Sequence, residues 1–199
     1  MKNSVKMNKT IKNLLFATFA IIGLSLNTSF AQSDTKTDNH TVAITIPEVS
    51  LLDIELSTSK NLTMNFVAPT EAGNAITAPL SNTTLWLNYS SIVEPTGVDA
   101  SRTVSVKASA VIPGVDLKVT AGADAGAGAG TKGTPVGGGV TLTTTDQTLI
   151  SGIGSSWTDT GTSKGHQLTY AVSLTSAASY GSLLSGLSTV TVTYTLSAN

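Results

Sequence analysis

Residues 189–196 read Thr-Val-Thr-Val-Thr-Tyr-Thr-Leu, with Val190, Val192, Tyr194 and Leu196 on one parity and threonine on the other. A period of two sends successive side chains to opposite faces of a strand, so this run has one apolar face and one that tolerates water. Residues 103–112 repeat the pattern: Val104, Val106, Ala108, Ala110 and Ile112 alternate with Thr103, Ser105, Lys107 and Ser109. Strands with a single apolar face belong in antiparallel sheets packed face to face over a shared core. The same test marks 41–46, 51–56, 62–67, 85–90, 117–121, 140–145 and 168–175. Helical spacing is confined to Tyr180, Leu183, Leu184 and Leu187, interrupted by Gly181 and Gly186, which suits a short helical turn or a packed loop. The expectation is an all-β, antiparallel β-sandwich, immunoglobulin-like or pilin-like, of about nine strands with little helix.

The first 31 residues stand apart from this pattern. Lys2, Lys6, Lys9 and Lys12 precede an apolar run from Leu14 to Leu26, and Ser29-Phe30-Ala31 supplies a small-x-small cleavage site. These are the three parts of a secretory signal peptide, and the apolar run is short for a membrane span. Residues 32–40 are polar and read as a flexible leader, followed by a single sandwich domain over 41–199. Within that domain, residues 121–139 hold 8 of the chain's 18 glycines and are expected to form a mobile Gly/Ala-rich loop.

Composition removes several classes of function. The chain has no Cys and two His, so disulfides, thiolate chemistry and multi-histidine metal cages are absent from the expectation. Removing residues 1–31 leaves 7 basic and 12 acidic residues, a net charge of −5. Such a surface does not attract nucleic acid or anionic lipid. No later apolar run is long enough to anchor the mature chain in a membrane. The expected location is outside the cytoplasm: periplasmic, cell-surface or extracellular.

Candidate chemistry is sparse. A phosphate-binding loop requires Gly before its Lys and Ser or Thr after it, whereas Lys132 lies between Thr131 and Gly133. His40 sits in the leader and His166 at a strand start, where it reads as a loop-tip residue in water; neither accompanies a nucleophile motif. Asp53 and Glu55 share one face of a strand, as glycoside hydrolysis would need, and equally decorate a solvent side. No catalytic residue, cofactor or metal site is expected. Trp157, among Ser155, Ser156, Thr158 and Asp159, is the candidate ligand-loop aromatic: either a stacking platform for a glycan or a tryptophan folded back over a sandwich end.

The signal peptide, the alternating segment after a polar leader (HTVAITIPEV), the final TVTVTYTLSAN and the lack of helices resemble secreted bacterial fimbrial-type subunits. Chaperone–usher pilins and spore-coat-U-like proteins are the nearest groups. Many such pilins carry a disulfide and a penultimate tyrosine, whereas this chain has no Cys and its Tyr194 lies five residues from the end. The resemblance implies assembly by strand addition, in which an extended segment of one subunit completes the sheet of the next. Val42, Ile44 and Ile46 form the candidate strand-addition segment, the alternative being the first strand of the same domain. The functional expectation is a secreted, non-enzymatic surface or structural protein of fimbrial-subunit or adhesin type, self-associating through sheet edges. A secreted carbohydrate-binding module with a glycan partner is the alternative.

Overall fold

The computed structural model describes residues 36–56 and 59–198, so the expected signal peptide lies outside the described residues. The chain divides into two compact units, Met1–Ile44 and Thr45–Asn199. The second unit holds nine strands: β1 (Val49–Leu56), β2 (Asn82–Ile92), β3 (Arg102–Ala108), β4 (Val115–Asp124), β5 (Ala129–Pro135), β6 (Val140–Thr141), β7 (Gln147–Trp157), β8 (His166–Leu174) and β9 (Val192–Ala198). All pairings are antiparallel. Two 3-10 turns, Val98–Ala100 and Ala177–Ser182, are the only helical elements among the described residues. The all-β, antiparallel, sandwich-like fold is therefore as the alternation requires.

One half of the sheet runs β1-β2-β8-β4-β6 and the other β9-β3-β7-β5, joined where the end of β2 pairs with the end of β7. Inward residues from both halves form one core: Leu85, Leu87, Val119 and Leu168 from the first, Val104, Val106, Leu149, Ile150 and Ile153 from the second. Each fully buried aliphatic side chain of this kind stabilises the fold by about 1.5–3 kcal/mol relative to exposure.

Seven of the nine expected strands are present, with shifted ends. Residues 41–46 form no strand, although their alternation is clean. Val42, Ile44 and Ile46 are exposed, Ile44 at 82%. Residues 62–67 alternate in burial as a strand would, but form only a bridge from Val67 to Thr77. In both segments the propensity is present and the partner ladder is not.

Two strands were not anticipated. β7 contains Leu149, Ile150 and Ile153, all fully buried, a spacing that breaks a period of two. The register shifts between β3 and β7 account for it, because a bulge returns the next residue to the same face. β5 lies inside the stretch expected to be a mobile loop, and β4 runs into it as far as Asp124. Glycine is what permits this pairing: Gly130 has φ 89°, and a Cβ there would strike the Ser155 carbonyl oxygen. Gly-rich sequence here means close backbone approach and left-handed geometry, rather than mobility.

Candidate functional site

Three features carry chemistry, and the largest is a groove. β9 pairs only with β3 and β1 only with β2, so each presents one edge with no partner strand among the described residues. Beside them lies an apolar groove of about 1160 Å³, lined by Ile54, Leu117, Tyr170, Val172, Val192 and Tyr194, with Leu62, Met64 and Phe66 along one bank and Leu183 to Leu187 along another. At one end β1 and β9 approach each other, the Ser50 hydroxyl donating to the Leu196 carbonyl over 3.4 Å. Tyr170 and Tyr194 join hydroxyls at 2.6 Å from facing halves of the sandwich. Burial raises the pKa of both phenols, so the pair stays neutral and bonded.

Sequence reading placed the groove's pieces but not the groove. Leu62, Met64 and Phe66 turn their alternating side chains toward it without gaining a ladder. Leu184 and Leu187 stand 90% and 92% exposed on its rim. Below Glu48, whose carboxylate pairs with the buried Arg102 guanidinium, the chain leaves the sandwich through Pro47.

A second feature is a buried polar cluster. His166 is fully buried rather than in water at a loop tip, because β8 begins at His166 and pairs there with Leu87 of β2 and Asp124 of β4. Its Nδ1 meets the Gly122 carbonyl at 2.9 Å, and its Nε2 meets the Tyr89 hydroxyl at 2.9 Å. The Tyr89 hydroxyl also donates to the Lys132 carbonyl, and the two rings stack with centroids 5.7 Å apart. A neutral ring and a phenol supply two protons for three hydrogen-bond links, so one link lacks a proton. Burial lowers the His166 pKa, with the Gly122 carbonyl and Asp124 opposing the shift, and burial raises that of Tyr89. Lys132 and Asp124 form an ion pair at 2.5 Å, and Lys132 also donates to the Ala127 carbonyl. Fully buried between Gly122 of β4 and Tyr89 of β2, His166 is placed to tie those strands together, and the Tyr89 hydroxyl carries the link on to β5.

Tyr89, Asp124 and Lys132 were missed as partners of His166. The available signal was Tyr89 sharing a parity with Leu85 and Leu87, since a buried tyrosine needs a hydroxyl partner. Asp124 and Lys132 are likewise the two charged residues in a stretch that is otherwise Gly, Ala, Thr, Pro and Val.

The third feature is an open cleft of about 330 Å³ that brings Trp157 together with Asp53 and Glu55. Trp157 ends β7 and is 50% exposed, so it does not fold back over the sandwich. Asp53 and Glu55 lie on the solvent side of β1, opposite Leu52, Ile54 and Leu56. Lys60 sits 2.9 Å from Asp53 and holds its carboxyl below the usual range. Among the described residues no group of three or more His, Cys, Asp or Glu could hold a metal ion, and no helix is long and apolar enough to cross a membrane. His40 is exposed in the unpaired segment before β1.

No protein-family model, curated protein or solved structure matches the chain.

Proposed function

We propose that this protein is an exported, non-enzymatic structural subunit of fimbrial type, and that copies join by β-strand addition. Residues 39–47 of one subunit lie in the groove of the next, with Val42, Ile44 and Ile46 entering it and their backbone pairing with the edge of β9 that carries no partner strand, on the Val192–Tyr194 side of the Ser50–Leu196 contact. The observation that carries the reading is the coincidence of an apolar groove beside a strand edge that is open among the described residues with a strand-patterned segment, 41–46, that pairs with no strand among them. Nine residues extended span about 30 Å, longer than the seven-residue β9 they would lie along. His166 is fully buried, with its two ring nitrogens against Gly122 and Tyr89, which supports a structural part for it rather than a catalytic one.

Light scattering over a concentration series, with negative-stain microscopy, tests the reading on mature protein. The full mature chain should give subunit multiples or rods, and a form lacking residues 32–46 should stay at one subunit mass. A peptide of residues 39–48 should then bind the truncated form and raise its Tm, because a ligand specific for the folded state stabilises it. Identical oligomers from both forms, or a full chain that remains monomeric throughout, would overturn strand addition.

A further inference from the structure

The cleft at Trp157 is separate from the strand-addition groove and is not used by it. Trp157 pairs across the ladder with Ser90 of β2, which in turn pairs with Leu51 of β1. Directly opposed residues present side chains to the same face, so the indole shares a face with Ser90 and Leu51. Two residues further along each strand, the same face carries Asp53 and Asn88, and beyond them Glu55. The loop after β7 closes the other side with Asp159 and Thr160. Both non-glycine residues of positive φ among the described residues, Asp159 at 70° and Ser163 at 64°, lie in that loop.

Large aromatics are usually covered, and this indole instead forms the half-open wall of a cleft whose remaining polar lining is hydroxyl, amide and carboxylate. An indole face matches the apolar C–H face of a sugar ring. Carboxylates and hydroxyls around it match ring hydroxyls, which need acceptors distributed along the ligand. Distributed is what the cleft offers: Asp53, Glu55 and Asp159 line it, yet they do not converge as a cation site would require. Two of the three are balanced by lysines, Lys60 at 2.9 Å from Asp53 and Lys164 at 3.2 Å from Asp159, while Glu55 accepts from the Thr160 hydroxyl at 3.2 Å. The local balance of one net negative charge disfavours an anionic ligand. A volume of about 330 Å³ lies at the lower end of the range for small-molecule sites, and its open side allows a chain to continue out.

We propose that this cleft is a binding site for a neutral saccharide, stacked on Trp157 and hydrogen-bonded to Glu55, Asp53 and the Asp159–Thr160 loop. A subunit polymer built as above would then display one such site per copy, although the site itself does not depend on assembly.

The test uses the whole mature protein titrated with manno-, cello-, galacto- and chito-tetraose, followed by calorimetry and tryptophan fluorescence, with oligogalacturonate as the anionic comparison. At least one neutral tetraose should bind at millimolar concentration or below, and oligogalacturonate at least about tenfold more weakly. Trp157→Ala should weaken binding by about tenfold or more, Trp157→Tyr by less than about fivefold, and Glu55→Gln by about threefold to tenfold, tenfold being about 1.4 kcal/mol. Should Trp157→Ala fail to fold, the tyrosine and Gln variants still decide the question. Absence of binding by all four neutral probes, or binding unchanged in Trp157→Ala and Glu55→Gln, overturns the proposal. Loss of residues 32–46 should leave saccharide binding intact, so failure of strand addition and failure of this site are read separately.

Discussion

Residues 41–46 and residues 129–135 have opposite relations between sequence and structure. The first has ideal β-alternation, Val42, Ile44 and Ile46 against Thr41, Ala43 and Thr45, and forms no strand. The second reads Ala-Gly-Thr-Lys-Gly-Thr-Pro, contains no large apolar residue, and is β5, paired with β7 over most of its length. Strand formation follows the availability of a partner edge, and propensity only says which face such a strand would bury. β7 offers β5 an edge, and the polar network reaches over to hold it: Tyr89 donates to the Lys132 carbonyl, and Lys132 pairs with Asp124 of β4. Residues 41–46 pair with no strand among the described residues, although β1 and β9 each keep one edge open.

The sharpest way to break this comparison is to remove what lets β5 approach β7. Gly130→Ala adds a Cβ against the Ser155 carbonyl at a left-handed φ. The expected loss is about 3 kcal/mol or more, or roughly 6–12 °C in Tm, measured by thermal and urea unfolding. A loss under about 0.5 kcal/mol would mean that β5 is not held as described. Tyr89→Phe removes the hydroxyl that spans His166 and the Lys132 carbonyl, and should cost about 1–3 kcal/mol with no change in β content by circular dichroism.

Acid should probe the same network. Burial lowers the folded-state pKa of His166, so below about 6.5 the unfolded chain binds a proton that the folded chain does not. Its contribution is fully present above that pH and is lost as pH falls toward the depressed folded value, with a limiting slope of about 1.4 kcal/mol per pH unit. Urea midpoints between pH 7.5 and 5, a window above most carboxylate titration, should fall in the parent protein and stay flatter in His166→Gln. Parallel curves for the two would assign the acid sensitivity elsewhere.

At the small end, Ile44→Asp should leave the stability of the isolated subunit within about 0.5 kcal/mol, because Ile44 is largely exposed. Hydrogen exchange sharpens the contrast further. Those amides of 129–134 that bond to β7 should exchange slowly at any concentration, and those of 41–46 quickly in the isolated subunit, becoming protected only as oligomers form. Protection of 41–46 in a confirmed monomer would show an intramolecular partner.

Legibility in the sequence followed the same division. Where alternation is unbroken and the strand pairs through its length, as in residues 51–56 or 85–90, the pattern located both strand and inward face. Bulges hid β7, because Leu149 and Ile150 are adjacent and both buried. The groove was illegible because it is a gap between edges, made from residues as distant as Ile54 and Val192. Trp157 was legible as a candidate, and Asp53 with Glu55 as a shared face, but their meeting in one cleft required β2 to pair with both β1 and β7.

By itself, then, the sequence determined the period-two pattern, and with it the antiparallel, helix-poor architecture, since the Cβ direction alternates along any strand whatever its neighbours. Tertiary structure decided which alternating segments become strands, which glycines mark close approach, and that His166 is enclosed. Those outcomes depend on a partner edge supplied from tens of residues away, and a ladder hydrogen bond needs both of its ends.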